Sequence, residues 1–123
     1  MAESILTVFR RNALKLKETP CFHYKHGGRW VSCSWVDAEE RVRRYALGLS
    51  SLGVKSGHKV AIWSQTRVEW TLCDLATLAC GGIVVPIYHT LHREQVAYIL
   101  KNAEVSLLIV EKKEQWNELK EQT

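Results

Sequence analysis

Residues 59–88 read KVAIWSQTRVEWTLCDLATLACGGIVVPIY, and this stretch decides the fold. Lys59 to Ser64 is a short strand centred on Val-Ala-Ile-Trp. Gln65 to Trp70 is the junction into a helix. From Val68 to Cys80 the chain is apolar on nearly all sides, broken only by Glu69, Thr71, Asp74 and Thr77. A helix of that kind is covered on most of its surface. Gly81-Gly82 ends it. Ile83 to Tyr88 is a second strand, apolar on both faces, as in parallel sheets sandwiched between helices. Pro86 lacks an N–H for the ladder, so it predicts an edge, a bulge or the strand's end.

The pattern continues downstream. Arg93 to Asn102 predicts a helix with Val96, Ile99, Leu100 and Ala103 inward. Val105 to Val110 predicts a third buried strand. Glu111 to Gln122 predicts a charged helix with Trp116 and Leu119 one turn apart. Strands joined by such helices are parallel, with right-handed crossovers.

Upstream, Ser4 to Lys17 predicts an amphipathic helix, with Ser4 as N-cap and Pro20 just past the end. Cys21 to Tyr24 and Arg29 to Ser34 flank Lys25-His26-Gly27-Gly28, a β-hairpin signal. Ser34, with Asp37 three residues on, opens a second helix in the manner of a capping box. Val42, Tyr45, Ala46 and Leu49 form its apolar stripe, and Gly53 is its natural C′ residue. The expected fold class is α/β: an N-terminal helix and β-hairpin, then a three-stranded parallel βαβαβ layer.

Composition narrows the function classes. The 123 residues fit one small domain or a piece of a larger one. The apolar share of 46% argues against disorder. The formal charge of +4 is spread along the chain, which reads as solvated helix faces rather than a nucleic-acid site. No apolar run reaches the roughly 18 residues of a membrane-spanning helix. The N-terminus lacks the long apolar stretch of a signal peptide, so a cytoplasmic location is the default. Cys21, Cys33, Cys73 and Cys80 show neither Cys-x-x-Cys nor zinc-finger spacing, and read as reduced, packed thiols. His89 and His92 have no third ligand nearby in sequence, so no metal site is expected.

Motifs for chemistry are sparse. The turn after the first parallel strand, Ser64-Gln65-Thr66-Arg67, has no glycine to cradle a phosphate. Phosphate-loop and nucleophile-elbow patterns are absent. Tyr88-His89-Thr90-Leu91-His92 is polar and aromatic just where an apolar strand ends. It reads either as a plain connection, with Thr90 or His92 near the N-cap, or as the lining of a ligand channel.

Several of these patches, in order, resemble the N-terminus of the adenylate-forming superfamily, and within it the bacterial AMP-forming long-chain fatty acyl-CoA synthetases. Ser34-Trp35-Val36-Asp37-Ala38-Glu39-Glu40 is similar to the family's first core motif. Ala46-Leu47-Gly48-Leu49, Leu52-Gly53-Val54, Gly57 and Val60-Ala61-Ile62 continue it. Ser64 and Arg67-Val68-Glu69-Trp70 suit the fatty-acid branch. Leu78 to Tyr88 is similar to the second core motif. Thr90, Glu94-Gln95-Val96, Tyr98-Ile99-Leu100 and Asn102 follow at the family's spacing. His58 and His89 depart from the usual residues at their positions.

The resemblance implies ligation of a fatty acid to coenzyme A through an acyl-AMP, using ATP and Mg. It also implies that the ATP-binding loop and the catalytic lysine lie downstream of this region. The chain is then a partial N-terminal domain, with no catalytic, cofactor or metal residue of its own and no activity alone. The remainder of the enzyme is its expected partner, and the full-length enzyme is expected in the cytoplasm or at a membrane periphery. Tyr88, His89 and Thr90 are the positions that the resemblance places along the substrate and CoA channel. The alternative is a stand-alone interaction or regulatory module derived from such an enzyme.

Overall fold

The computed structural model describes residues 4–121. Helix α1 (Ile5–Leu16) is followed by strands β1 (Pro20–His26) and β2 (Arg29–Ser34) and by helix α2 (Trp35–Ser51). Then come β3 (Lys59–Trp63), α3 (Val68–Ala79), β4 (Ile83–Ile87), α4 (Arg93–Asn102), β5 (Leu107–Val110) and α5 (Lys113–Lys120). The expected α/β order is therefore present in full.

Local chemistry explains the boundaries. Ser4 Oγ accepts from Thr7 N at 3.1 Å and starts α1. Ser34 Oγ accepts from Asp37 N at 3.1 Å and starts α2. The hairpin turn is tighter than the four residues expected. β1 and β2 pair out to His26 and Arg29, leaving Gly27 and Gly28 as the turn, with φ of 59° and 78°. Two consecutive positive φ values define the hairpin turn that matches strand twist, and glycine adopts them without strain.

Three strand ends also move. The first two parallel strands stop at Trp63 and Ile87, one residue earlier than expected. The third starts at Leu107, not Val105, because Val105 N donates to Leu100 O at 3.0 Å and closes α4. Glu104, with φ 55°, makes the left-handed C′ turn there. The predicted end of the last helix, Gln122, lies outside the described residues.

β3, β4 and β5 form a parallel sheet in the order β4-β3-β5, with Trp63 paired to both Ile87 and Val110. β1 and β2 form a separate antiparallel pair. Pro86 stands on β4, an edge of the three-stranded sheet, where its missing N–H costs no ladder bond.

The two faces of the sheet feed separate cores, because side chains alternate along each strand. Val60, Leu107 and Ile109 pack with Phe9, Val42, Leu72 and Ala76 from α1, α2 and α3. Ala61, Trp63 and Ile87 pack with Val96 and Leu119 from α4 and α5. No residue of α3 is exposed, as its apolar circumference predicts. β4 departs from expectation: Ile83 is 49% exposed and Pro86 is also open. An edge strand with uncovered apolar positions leaves part of its face to water.

Candidate functional site

β3 leads through α3 to β4 on one side, and β4 leads through α4 to β5 on the other. The switch point of this topology lies between β3 and β5. In open α/β sheets a crevice forms there, outside the carboxyl ends of the strands. The paired ends are Ile87, Trp63 and Val110, so the next residues along the three strands are Tyr88, Ser64 and Glu111.

A crevice of about 240 Å³ opens at the switch point. Ile62, Ile109, Val110 and Trp70 give it apolar walls. Ser64, Arg67, Glu69 and Glu111 supply its polar groups. Those groups bond mainly to one another. Glu111 Oε1 accepts from Gln65 N at 3.0 Å and from Ser64 Oγ at 3.4 Å. Glu111 Oε2 lies 3.3 Å from an Arg67 terminal nitrogen, and Arg67 Nε donates to Glu69 Oε2 at 2.8 Å. The Glu111 side chain is 12% exposed.

The bond from the Gln65 amide holds the Glu111 carboxyl below the usual range, against the effect of burial, and Arg67 helps. Burial acts to raise Glu69, but backbone bonding and Arg67 bring it below its ordinary value. Gln115 completes the arrangement. Its Oε1 accepts from Glu111 N at 2.9 Å and Lys112 N at 2.8 Å, capping α5. Its Nε2 donates to Trp63 O at 3.1 Å, tying the end of β3 to the start of α5.

This constellation can hold strand ends in register. It does not suit a phosphate. Two carboxylates, Glu69 and Glu111, flank the first turn of α3, and Arg67, the cation that lines the crevice, is committed to both. The residues present therefore do not fit the phosphates of ATP.

Three of the thiols are shifted away from the reactive thiolate. Burial raises Cys73, with the Glu69 charge adding to it, and burial also raises Cys80. Burial and the neighbouring Cys33 push Cys21 up to about 11. All four cysteines are unbridged. Among the described residues, no three His, Cys, Asp or Glu side chains gather where they could hold a metal ion. No described helix is long and apolar enough to cross a membrane.

Tyr88, His89 and Thr90 stand together past the end of β4, all exposed, with Tyr88 at 80%. Tyr88 O accepts from Leu91 N at 3.2 Å, which turns the chain toward α4. The N-cap of α4 is His92, not Thr90, and Gln95 Oε1 accepts from the His92 amide at 3.0 Å. These three residues share the carboxyl end of the sheet with Ser64 and Glu111 but belong to the edge strand.

Glu111 and Gln115 escaped the reading of the sequence. Each lies more than 40 residues from the groups it holds at the end of β3. The available signal was an acid directly after an apolar strand with a glutamine four residues on, a pattern that acquires meaning only once β5 is paired beside β3.

Comparison with known proteins supplies the context. Residues 9–123 match the family described as AMP-binding enzyme. Over 84 residues the chain is 44% identical to the long-chain-fatty-acid–CoA ligase FadD15 of Mycobacterium bovis. That match takes in 68% of this chain and 14% of FadD15, so the chain spans a small part of the length of this relative. It is 34% identical over 103 residues to an uncharacterized protein of Mycobacterium tuberculosis, Rv1549, covering 84% of this chain and 58% of that one. In three dimensions it superposes on a candidate long-chain-fatty-acid CoA ligase of Rhodopseudomonas palustris. The TM-score is 0.84 at 25% identity, covering 98% of this chain and 30% of that one.

Proposed function

The chain belongs to the AMP-binding enzyme family, and from that premise we propose that it is the opening part of a long-chain fatty acid–CoA ligase, contributing architecture rather than catalytic groups. The observation that carries this reading is the match to a long-chain ligase at 44% identity, together with core motifs that occur in the order the family uses. ATP, Mg and coenzyme A are the cofactors and substrates of such a ligase, and a long-chain fatty acid is its acyl donor. The cytoplasm is the compartment this reading assigns.

With Glu69 and Glu111 in the switch-point crevice, this reading assigns nucleotide binding to other parts of the ligase. What these residues supply is a rigid sheet end. Glu111, Gln115 and Arg67 fix the ends of β3 and β5, and β4 is hydrogen-bonded to β3 along its length. From that platform Tyr88, His89 and Thr90 project at the end of β4. An exposed ring beside two hydrogen-bonding side chains suits the wall of a channel for coenzyme A and the acyl chain. The test is ATP–pyrophosphate exchange with palmitate by the 123-residue chain alone. No exchange above background is expected, and clear turnover contradicts the assignment of catalytic groups to other parts of the ligase.

A second reading, a stand-alone interaction module derived from such an enzyme, is favoured by one observation. The matched segment makes up 58% of Rv1549, so related sequence occurs in a protein that this segment largely fills. A folded chain that does not associate with a ligase lacking the matching segment would favour this reading over the first.

A further inference from the structure

The outer face of α4 and α5 lines no part of the switch-point crevice. Val96 and Leu119 turn these two helices toward the core. On the far side Tyr98 is 68% exposed and Trp116 is 50% exposed. The two rings line one groove together with Ala97, Glu94 and Lys101. A second groove, which includes Leu91 and Ile99, adjoins the same Tyr98 ring. Large aromatic side chains exposed beside apolar grooves are the mark of a protein interface.

The order of residues along α4 says what such an interface would hold. Glu94, Ala97, Tyr98 and Lys101 follow the spacing i, i+3, i+4, i+7, so they form one stripe on the helix. The acid and the base at its ends are two turns, about 10.5 Å, apart. A two-fold axis passing between Ala97 and Tyr98 would set α4 antiparallel to α4 of a second copy. Glu94 then faces Lys101 of the copy, and Lys101 faces its Glu94. In the same register the Tyr98 ring lies over Ala97 of the copy, whose methyl group leaves room for it. An isologous contact has to be self-complementary in this manner. Within one chain Glu94 bonds to the adjacent Arg93 at 3.4 Å, a surface contact worth little, so the acid stays available to a second cation. The exposed Leu47 on α2 has no such arrangement. Its cleft holds Arg10, Arg43 and Lys55 and no acid, so two copies of that face would repel each other.

From this charge complementarity we propose that two copies of the chain pair through α4, antiparallel about a two-fold axis, with Tyr98 and Trp116 covered between them. Each copy brings one helix of 10 residues and one ring from α5. That is a small contact, so the dimer is weak and depends on protein concentration. The inference stands apart from the ligase reading, since it uses no residue of the sheet end.

Sedimentation equilibrium of the 123-residue chain over a range of concentrations tests the pairing. A reversible monomer–dimer equilibrium is expected. Tyr98→Ser weakens it about thirtyfold, the loss that follows removal of a central aromatic anchor. Glu94→Lys and Lys101→Glu each turn two exposed attractions into repulsions and weaken it about tenfold. Mixing these two variants restores opposite charges at both ends, so they associate with each other as strongly as wild type does with itself. Leu47→Ser, on the α2 face, leaves the equilibrium unchanged. All four positions are at the surface, so the variants keep the wild-type far-ultraviolet circular dichroism. The proposal is overturned by a wild-type chain that stays monomeric, by a dimer that Tyr98→Ser leaves intact, or by charge variants that associate as wild type. A mixture of the two charge variants that associates no better than either alone also overturns it. So does a monomeric chain that binds, through Tyr98, a ligase lacking the matching segment, since another part of that enzyme would then be what covers the face.

Discussion

Glu111 is one acid that bonds to three groups of the β3–α3 turn: the Gln65 amide, Ser64 and Arg67. Removing it leaves that amide without its side-chain acceptor and Arg67 with Glu69 alone. Glu111→Ala is expected to cost about 1–3 kcal/mol of stability, read from denaturant midpoints. The pH dependence follows from the direction of its shift. Its folded pKa is depressed, so its contribution is present above the ordinary carboxylate range, about 4.3, and is lost as pH falls through the folded value. The gap between wild type and Glu111→Ala therefore narrows below about pH 4. A constant gap down to pH 2 would show that the carboxylate is not what stabilises the turn. Tyr88 and His89 make the opposite case. Both are exposed, so their substitution spares stability. In an active ligase containing this segment, Tyr88→Ala and His89→Ala are expected to raise the KM for coenzyme A about tenfold, leaving that for ATP unchanged. Equal changes in both would remove these residues from the channel. The sequence marked Tyr88 because polarity changes abruptly after an apolar strand. It gave no comparable mark for Glu111, whose role depends on a neighbour brought in by the β3–β5 pairing.

At the scale of elements, periodicity was most informative where burial is one-sided or complete. The α3 segment was legible from its apolar circumference, and α2 from its stripe and its Ser34 cap. Boundaries were less legible because they are set by backbone bonds. The Leu100 carbonyl claims Val105, so β5 begins two residues late. Two glycines with positive φ suffice for the hairpin turn, so β1 runs longer than expected while β2 keeps its expected bounds. Gly82 tests a tight contact of another kind. A Cβ there would lie 2.9 Å from Thr77 Cγ2 and 3.2 Å from the His58 carbonyl oxygen. The same turn is fastened by Gly82 N donating to Thr77 O and Ile83 N donating to His58 O. Gly82→Ala should therefore destabilise by about 1–3 kcal/mol. Gly48, inside α2 with nothing within 4 Å of its Cβ position, should instead gain about 0.5–1 kcal/mol as Ala. Thermal melts of the two variants check this contrast, and a loss at Gly48 equal to that at Gly82 would contradict it.

Over the whole molecule, the α/β class, the hairpin and the parallel order followed from strand–helix alternation alone. Function did not follow in that way, because the polar groups of the switch-point crevice are spent on one another. Family membership rests on motifs distributed over the chain and on the match across residues 9–123. The exposed apolar positions of β4 fit a segment whose sheet edge works beside other parts of a ligase. The most direct measurement mixes the 123-residue chain with a FadD15-type ligase lacking the matching segment and follows palmitoyl-CoA formation. The account predicts no product from either component alone and product from the mixture. A mixture that stays inactive although both components are folded would contradict it.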